Sequence, residues 1–373
     1  YDLMFTTKLK GDADRMKILA MDIGAGTEDI LLYDDRKGLE NCVKMVLPSP
    51  SQIFAAKVKE ATRLHKDLFI KGDIIGGGAF ASALKSHVKQ GLRVVMTEKA
   101  AYTIRNDLDE VRELGIEIVS EEEIKDFNGD ELRIEEVNLR RLEGFLREFN
   151  ETLSDVDIVA VAIQDHGVSP RGMSNRRFRL QKMRELLERD SRPENLALKE
   201  EEIPSYLLRM KSAAQASRRQ LPKAEVLVMD TSPAAVIGCL KDPIVEMADL
   251  VLSINIGNSH TMAAIISDER IVGIIEHHTQ LLHPQKIKQM LINFVNGDLS
   301  DEEVFKDYGH GLFLLADPPG FSEIEKIAAT GPNRKILSET KLPVHFATPA
   351  GDMMMTGPIG LIEAAKRKFE RNV

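Results

Sequence analysis

The chain carries one short design twice, and this constrains its fold more than any other feature. Lys17 to Asp34, KILAMDIGAGTEDILLYD, reads as an apolar strand ending in Asp22, a glycine-bearing turn, and a second apolar strand. Leu250 to Ser267, LVLSINIGNSHTMAAIIS, repeats the design with Asn255 in place of the aspartate. One copy alone reads equally well as an ordinary β-hairpin with a short loop. Two copies, roughly two hundred residues apart, predict a duplicated fold with one hairpin in each half.

The first turn suits phosphate. Gly24 and Gly26 reach backbone angles that a Cβ disfavours, and they let anionic oxygens approach the main-chain N–H groups. Ala25 lies between them, and Thr27 adds a hydroxyl donor. Asp22, at the strand end, is placed to hold a metal-bound water, and Asp29 is either a second metal contact or a cap of the hairpin. In the second copy Gly257, Ser259 and Thr261 take the corresponding places. Asn255 there supplies hydrogen bonds but no charge.

With these two hairpins the chain resembles the actin, heat-shock-70 and sugar-kinase superfamily of ATP-binding proteins. The resemblance implies an α/β chain of two lobes, the actin-like ATPase (ribonuclease H-like) fold, with duplicated mixed sheets and an interlobe cleft. It also implies ATP and Mg2+ as ligands, the phosphates gripped by the two hairpins from opposite sides. IAATGP, Ile327 to Pro332, resembles the superfamily's adenosine motif, with Thr330 and Gly331 at the matching positions. The order of motifs divides the chain into a first lobe, 1–240, with a helical insertion at about 180–222, and a second lobe, 241–373.

Between the hairpins, strand and helix patterns alternate from Asp67 to Val119, with one helix over Glu98–Leu114, and imply a parallel sheet. Gly76, Gly77 and Gly78 fit an anion site at a helix N-terminus or, more commonly, a tight strand-to-helix turn. Val156–Ile163 is a continuous apolar run typical of a buried central strand. It delivers Gln164, Asp165 and His166 to its C-terminal end, where ligands sit in open α/β sheets. Asp165 is the candidate base for phosphoryl transfer. Gln164 would instead orient a water and make the protein an ATPase. Arg171, Arg176, Arg177 and Arg179 follow in SPRGMSNRRFR, either as a clamp for an anionic substrate or as a solvated loop. Ser232, before Pro233, reads as the N-cap of a helix.

A formal net charge of −9 over 373 residues argues against non-specific nucleic-acid binding, and no apolar run approaches a membrane span. Two cysteines, Cys42 and Cys239, provide no disulfide framework, which points to a reducing cytoplasm. His277, His278 and His283 are close in sequence but lack helical i, i+4 pairing, so a metal site there is the minor reading.

DIGAGTEDILLYD, QDHGVSPRG, DTSPAAVIG and ATPAGDMMMTGP also resemble a prokaryotic family within this superfamily whose members are labelled activating enzymes of pyruvate formate-lyase. Glycyl-radical activation requires an iron–sulfur cluster on three closely spaced cysteines, which Cys42 and Cys239 do not supply. The expected function is magnesium-dependent phosphoryl transfer or ATP hydrolysis in the cleft, acting on an anionic small molecule. The alternative is a non-catalytic nucleotide-binding switch that recruits a protein partner.

Overall fold

The computed structural model describes residues 15–120 and 127–369. Alternation with a period of two sorts the first strand, β1 (Lys17–Ile23). Leu19, Met21 and Ile23 enter one core, while Ile18 and Ala20, and with them Asp22, face the other side. β2 (Thr27–Asp34) pairs antiparallel with β1, and β3 (Val43–Pro48) pairs with β2.

The chain then leaves this sheet to build a smaller one. α1 (Pro50–Arg63), β4 (Leu68–Gly72), α2 (Gly78–Lys89), β5 (Val94–Thr97), α3 (Glu98–Ala101), α4 (Leu108–Glu113), β6 (Ile116–Val119) and β7 (Asp130–Ile134) follow in order. Their four strands are parallel, in the order β6-β5-β4-β7, over a core that includes Phe54, Leu68, Phe80 and Leu84. The single helix expected over 98–114 is broken. Asp107 accepts a hydrogen bond from the Asp109 N–H and starts α4 afresh.

α5 (Leu139–Arg147) leads back to β8 (Ile158–Ile163), which is buried at every residue and parallel to β1. α6 (Asn175–Leu187), β9 (Leu198–Lys199), α7 (Leu208–Gln220) and β10 (Glu225–Met229) complete the first large sheet, ordered β3-β2-β1-β8-β10-β9. β9 pairs with β10 and α7 packs on β8 and β10, so the charged 180–222 segment is woven into the lobe. α8 (Thr231–Leu240) is capped by Asp230, which accepts from the Ser232 N–H at 3.2 Å. The cap thus stands two residues before the expected Ser232, because the aspartate already ends the strand.

The second large sheet repeats the first. β11 (Leu250–Ile256), β12 (His260–Ser267), β13 (Arg270–His278), α9 (Pro284–Asn296), α10 (Asp301–Lys306), β14 (Gly311–Leu314), β15 (Lys326–Thr330) and β16 (Val344–Phe346) give the order β14-β13-β12-β11-β15-β16. Without β14, this is the β3-β2-β1-β8-β10 pattern: an antiparallel meander followed by two parallel strands. α11 (Thr356–Phe369) returns to the first sheet and packs on β1, β8 and α8. It crosses α8 so closely that a Cβ on Gly238 would lie 1.7 Å from the Thr356 carbonyl oxygen, and one on Gly360 would lie 1.9 Å from that of Ala234. α8 and α11 share one apolar core with both sheets, and the cleft opens at the sheets' C-terminal edge above this core.

Asp34 closes the far end of the first hairpin by accepting from Arg36 Nε at 3.0 Å and Nη2 at 2.9 Å. Arg36 holds its carboxyl well below the usual carboxylate range, against the opposing effect of burial. Its contribution is therefore present above about pH 4 and is lost as pH falls toward the lowered value. Asp34→Asn should cost about 1 kcal/mol at pH 7. Denaturant titrations at descending pH should show the gap to wild type closing below about pH 4. A gap that keeps its full neutral-pH size down to pH 2 would contradict this assignment.

Candidate active site in the interlobe cleft

A cleft of about 640 Å³ lies between the lobes, lined by both hairpin turns, the end of β8, and residues 330–332. Gly76, Gly77 and Gly78 contribute from the smaller sheet. In the first turn, Ser49 Oγ and Gln52 Nε2 donate to the Ala25 carbonyl at 3.3 and 3.2 Å. C=O and N–H point opposite ways across a trans peptide, so the Gly26 N–H is directed away from those side chains. A Cβ on Gly26 would lie 2.9 Å from Asn258 Nδ2, so the two turns meet across the cleft.

Asp22 and Asp29 stand directly opposite each other in the β1–β2 ladder, and their side chains share a face. Like charges so placed repel. Asp22 Oδ1 and Asp29 Oδ1 are buried and have no hydrogen-bond partner among the described residues. Burial first, then the charges of Asp29 and Asp230, raise the Asp22 carboxyl well above its ordinary value. Asp29 is pushed up to about 7 by burial, with Asp352 adding to the rise and a bond from Thr27 opposing it. Asp22 Oδ2 rests on the start of α11, where a Cβ on Gly357 would lie 1.9 Å from it. Asn255 occupies the position in β11 that Asp22 holds in β1 and also lines the cleft.

The Gln164–His166 cluster lies in the cleft, with its members in different roles. Gln164 Nε2 is buried with no hydrogen-bond partner among the described residues. Asp165 accepts from the backbone N–H groups of Gly167, Arg209 and Met210 at 2.9, 2.8 and 3.0 Å. Two of these belong to the first turn of α7, so Asp165 caps that helix. As a base it is displaced by its own geometry, because both oxygens are committed to backbone donors. Arg209, not singled out from sequence, lines the cleft and is held by Glu136 at 2.7 Å.

Other expected contacts lie elsewhere. Thr261 is buried and bonded to Thr279 at 3.0 Å, away from the cleft lining. Gly257, Ser259, Thr330 and Gly331 line the cleft, but the Thr330 hydroxyl donates to Thr356 Oγ1 at 2.9 Å. The arginine clamp does not form. Arg171 is exposed outside the cleft, and Arg176 donates to the Tyr308 and Gly309 carbonyls at 2.7 and 2.6 Å. Arg177 pairs with Glu302 and stacks on Phe305. Arg179 is fully buried, donating to Asp230 through Nε at 3.0 Å and Nη2 at 2.8 Å, and through Nη1 to Glu276.

Glu276 leads to a group of histidines that local sequence spacing does not reveal. Its Oε2 lies 2.9 Å from His310 Nδ1. The His310 ring stands 5.6 Å from that of His166 and 4.7 Å from that of His260, and His278 flanks both His260 and His310. Strand alternation separates the His277, His278 and His283 trio. His277 turns to Asp307 at 3.1 Å, His278 joins the cluster, and His283 caps α9. Sequence position points to His166 and His278 singly, and Glu276, a lone acid after the apolar run IVGII, is a further local signal. Burial holds His166 and His260 down to about 3, with the Arg179 charge adding to it, so both rings are neutral at neutral pH.

The duplicated strand order, with a glycine turn from each sheet on either wall of the cleft, defines an actin-like ATPase fold of two ribonuclease H-like lobes. Within that class, the chain belongs to the family described as "Putative pyruvate format-lyase activating enzyme (DUF1786)", whose model matches residues 75–336. Cys42 and Cys239 are both buried free thiols, and burial pushes Cys239 up to about 12, so the donor set does not fit the iron–sulfur cluster that this description implies. Among solved structures, the chain is similar to the polyphosphate/ATP-glucomannokinase of Arthrobacter sp. strain KM, at 14% identity over 94% of this chain and 99% of that one, with a TM-score of 0.37. It is also similar to the PilM–PilN type IV pilus biogenesis complex, at 10% identity over 93% and 98%, TM-score 0.38. A Ppx/GppA family protein from Aquifex aeolicus matches at 11% identity over 96% and 92%, TM-score 0.32. No curated protein matches the chain in sequence. No helix among the described residues is long and apolar enough to cross a membrane.

Proposed function

We propose that this chain binds ATP with Mg2+ in the interlobe cleft and transfers the terminal phosphoryl group to water. The observation that carries the reading is the facing pair Asp22 and Asp29, each with a buried, unpaired oxygen, beside a glycine turn that directs an N–H away from its own flank. Two opposed buried carboxylates are costly alone, and a hard divalent cation with its waters would relieve them. Bound Mg2+ would neutralise charge on the phosphates. Asp22 and Asp29 would hold it, Gly24–Thr27 would cradle phosphate oxygens, and Gln164 would hold the attacking water through its free amide. Water is favoured over a small-molecule acceptor because Asp165 is committed to capping and the arginine clamp is absent from the cleft.

A second reading, a nucleotide switch without turnover, is favoured by the meeting of Gly26 and Asn258, since a phosphate between the turns would set the lobe opening. Phosphate release from ATP separates the two. Gln164→Ala should lower kcat by about 100-fold with little change in KM. Asp165→Asn should lower stability by about 1 kcal/mol and leave turnover per folded molecule nearly unchanged. Loss of turnover in folded Asp165→Asn would restore it as the base, and binding without wild-type turnover would favour the switch.

A further inference from the structure

The histidine cluster borders the same cleft as the paired aspartates, and its chemistry is different. His166 comes from the end of β8, His260 from the start of β12, and His310 from the residue before β14. One nitrogen from each lies within 4.8 Å of the others. His166 and His260 are half-buried and line the cleft, while His310 is fully buried behind them. Neither ring nitrogen of His310 has a hydrogen-bond partner of ordinary geometry among the described residues. Buried polar atoms are rarely left so, and an unpaired ring nitrogen facing two other imidazoles calls for a shared ligand.

We propose that His166, His260 and His310 bind one first-row transition-metal ion of the zinc or iron(II) class, with a further coordination position open to the cleft. Three imidazole nitrogens suit such ions and are poor ligands for magnesium, which takes oxygen. A three-histidine set with one open position is an arrangement that holds a reactive water or a substrate oxygen. The dimensions agree. With a metal–nitrogen bond of about 2.0–2.1 Å, a ring centre lies about 3.2 Å from the ion, and two tetrahedral ligands place their ring centres about 5.2 Å apart. The three ring separations here are 5.8, 5.6 and 4.7 Å.

The surroundings also fit. Glu276 Oε2 lies 2.9 Å from His310 Nδ1, on the outer side of the group, and the buried Arg179 holds Glu276 in turn. A carboxylate behind a ligating histidine is a common outer-shell arrangement. Because His166 belongs to the first lobe and the other two to the second, the ion ties the lobes together beside Gln164 and the Gly257–Ser259 turn. The site stands whether or not the cleft binds ATP.

The test uses the full chain, stripped with a chelator and titrated with Co2+ in the absence of nucleotide and Mg2+. Cobalt reports tetrahedral coordination through its visible absorption, and Zn2+ should displace it. The expected result is one Co2+ per chain with a tetrahedral spectrum. His166→Gln and His260→Gln, both at the accessible wall, should each weaken binding by more than about 100-fold, while His283→Gln, outside the cluster, keeps it. Circular dichroism of each variant establishes that it is folded. Failure of the folded wild type to take up stoichiometric Co2+ or Zn2+ would overturn the proposal. So would unchanged uptake in folded His166→Gln and His260→Gln.

Discussion

Arg179→Met should destabilise the folded protein by about 3–5 kcal/mol, one of the largest effects available from a single substitution. Arg179 is fully buried, and its guanidinium serves Asp230 in the first lobe and Glu276 in the second. Methionine fills much of the same space but leaves two buried carboxylates without a counter-charge. Burial pushes Glu276 up, yet Arg179 and His310 outweigh it and hold the carboxyl well below its usual range. Arg179→Lys keeps the charge but loses the fork, so it should lose less. Adding Glu276→Gln to Arg179→Met should recover part of the loss, because one orphaned charge is removed with it. Equilibrium denaturation of the four chains checks this. A loss below 1 kcal/mol for Arg179→Met would mean that the triad does not hold the lobes.

The second large effect has two opposite signs. Asp22→Ala should reduce magnesium-dependent ATP affinity by at least about 100-fold, while the unliganded protein becomes slightly more stable, by up to about 1 kcal/mol. The affinity falls because Asp22 is the inner member of the proposed cation pair. The stability rises because Asp22 Oδ1 is buried without a partner and Asp29 repels it from the facing strand. Alanine removes both costs. A purely structural aspartate would behave in the opposite way, with Asp22→Ala less stable and equally able to bind. Thermal unfolding with and without Mg2+ and ATP reads both signs in one experiment.

Much of this was legible from local pattern. The β1–β2 hairpin declared itself through two apolar runs around a glycine turn with Asp22 at the strand end, and β8 through an uninterrupted apolar run. The second hairpin then implied the second sheet, because both copies begin the same meander. What was hidden depends on partners distant in sequence. Nothing near Gly357 announces that α11 returns to the first sheet, since the signal is a glycine facing Asp22 across the whole chain. The basic run at 171–179 reads as a clamp because arginines are visible, whereas their partners at Asp230, Glu276 and Tyr308 are not adjacent to it. Asp165 looked like a base because it follows a central strand. Only the fold shows that α7 begins against its carboxylate. The histidines at 166, 260 and 310 have no spacing rule in common and meet only when the lobes do.

The central claim is a magnesium-dependent nucleotide site between the two hairpins. Isothermal titration of the wild-type chain with ATP in excess Mg2+, repeated with a chelator, tests it most directly. One saturable site per chain, lost on chelation, is the predicted result. No binding of ATP with Mg2+, or binding that is indifferent to the cation, would contradict it.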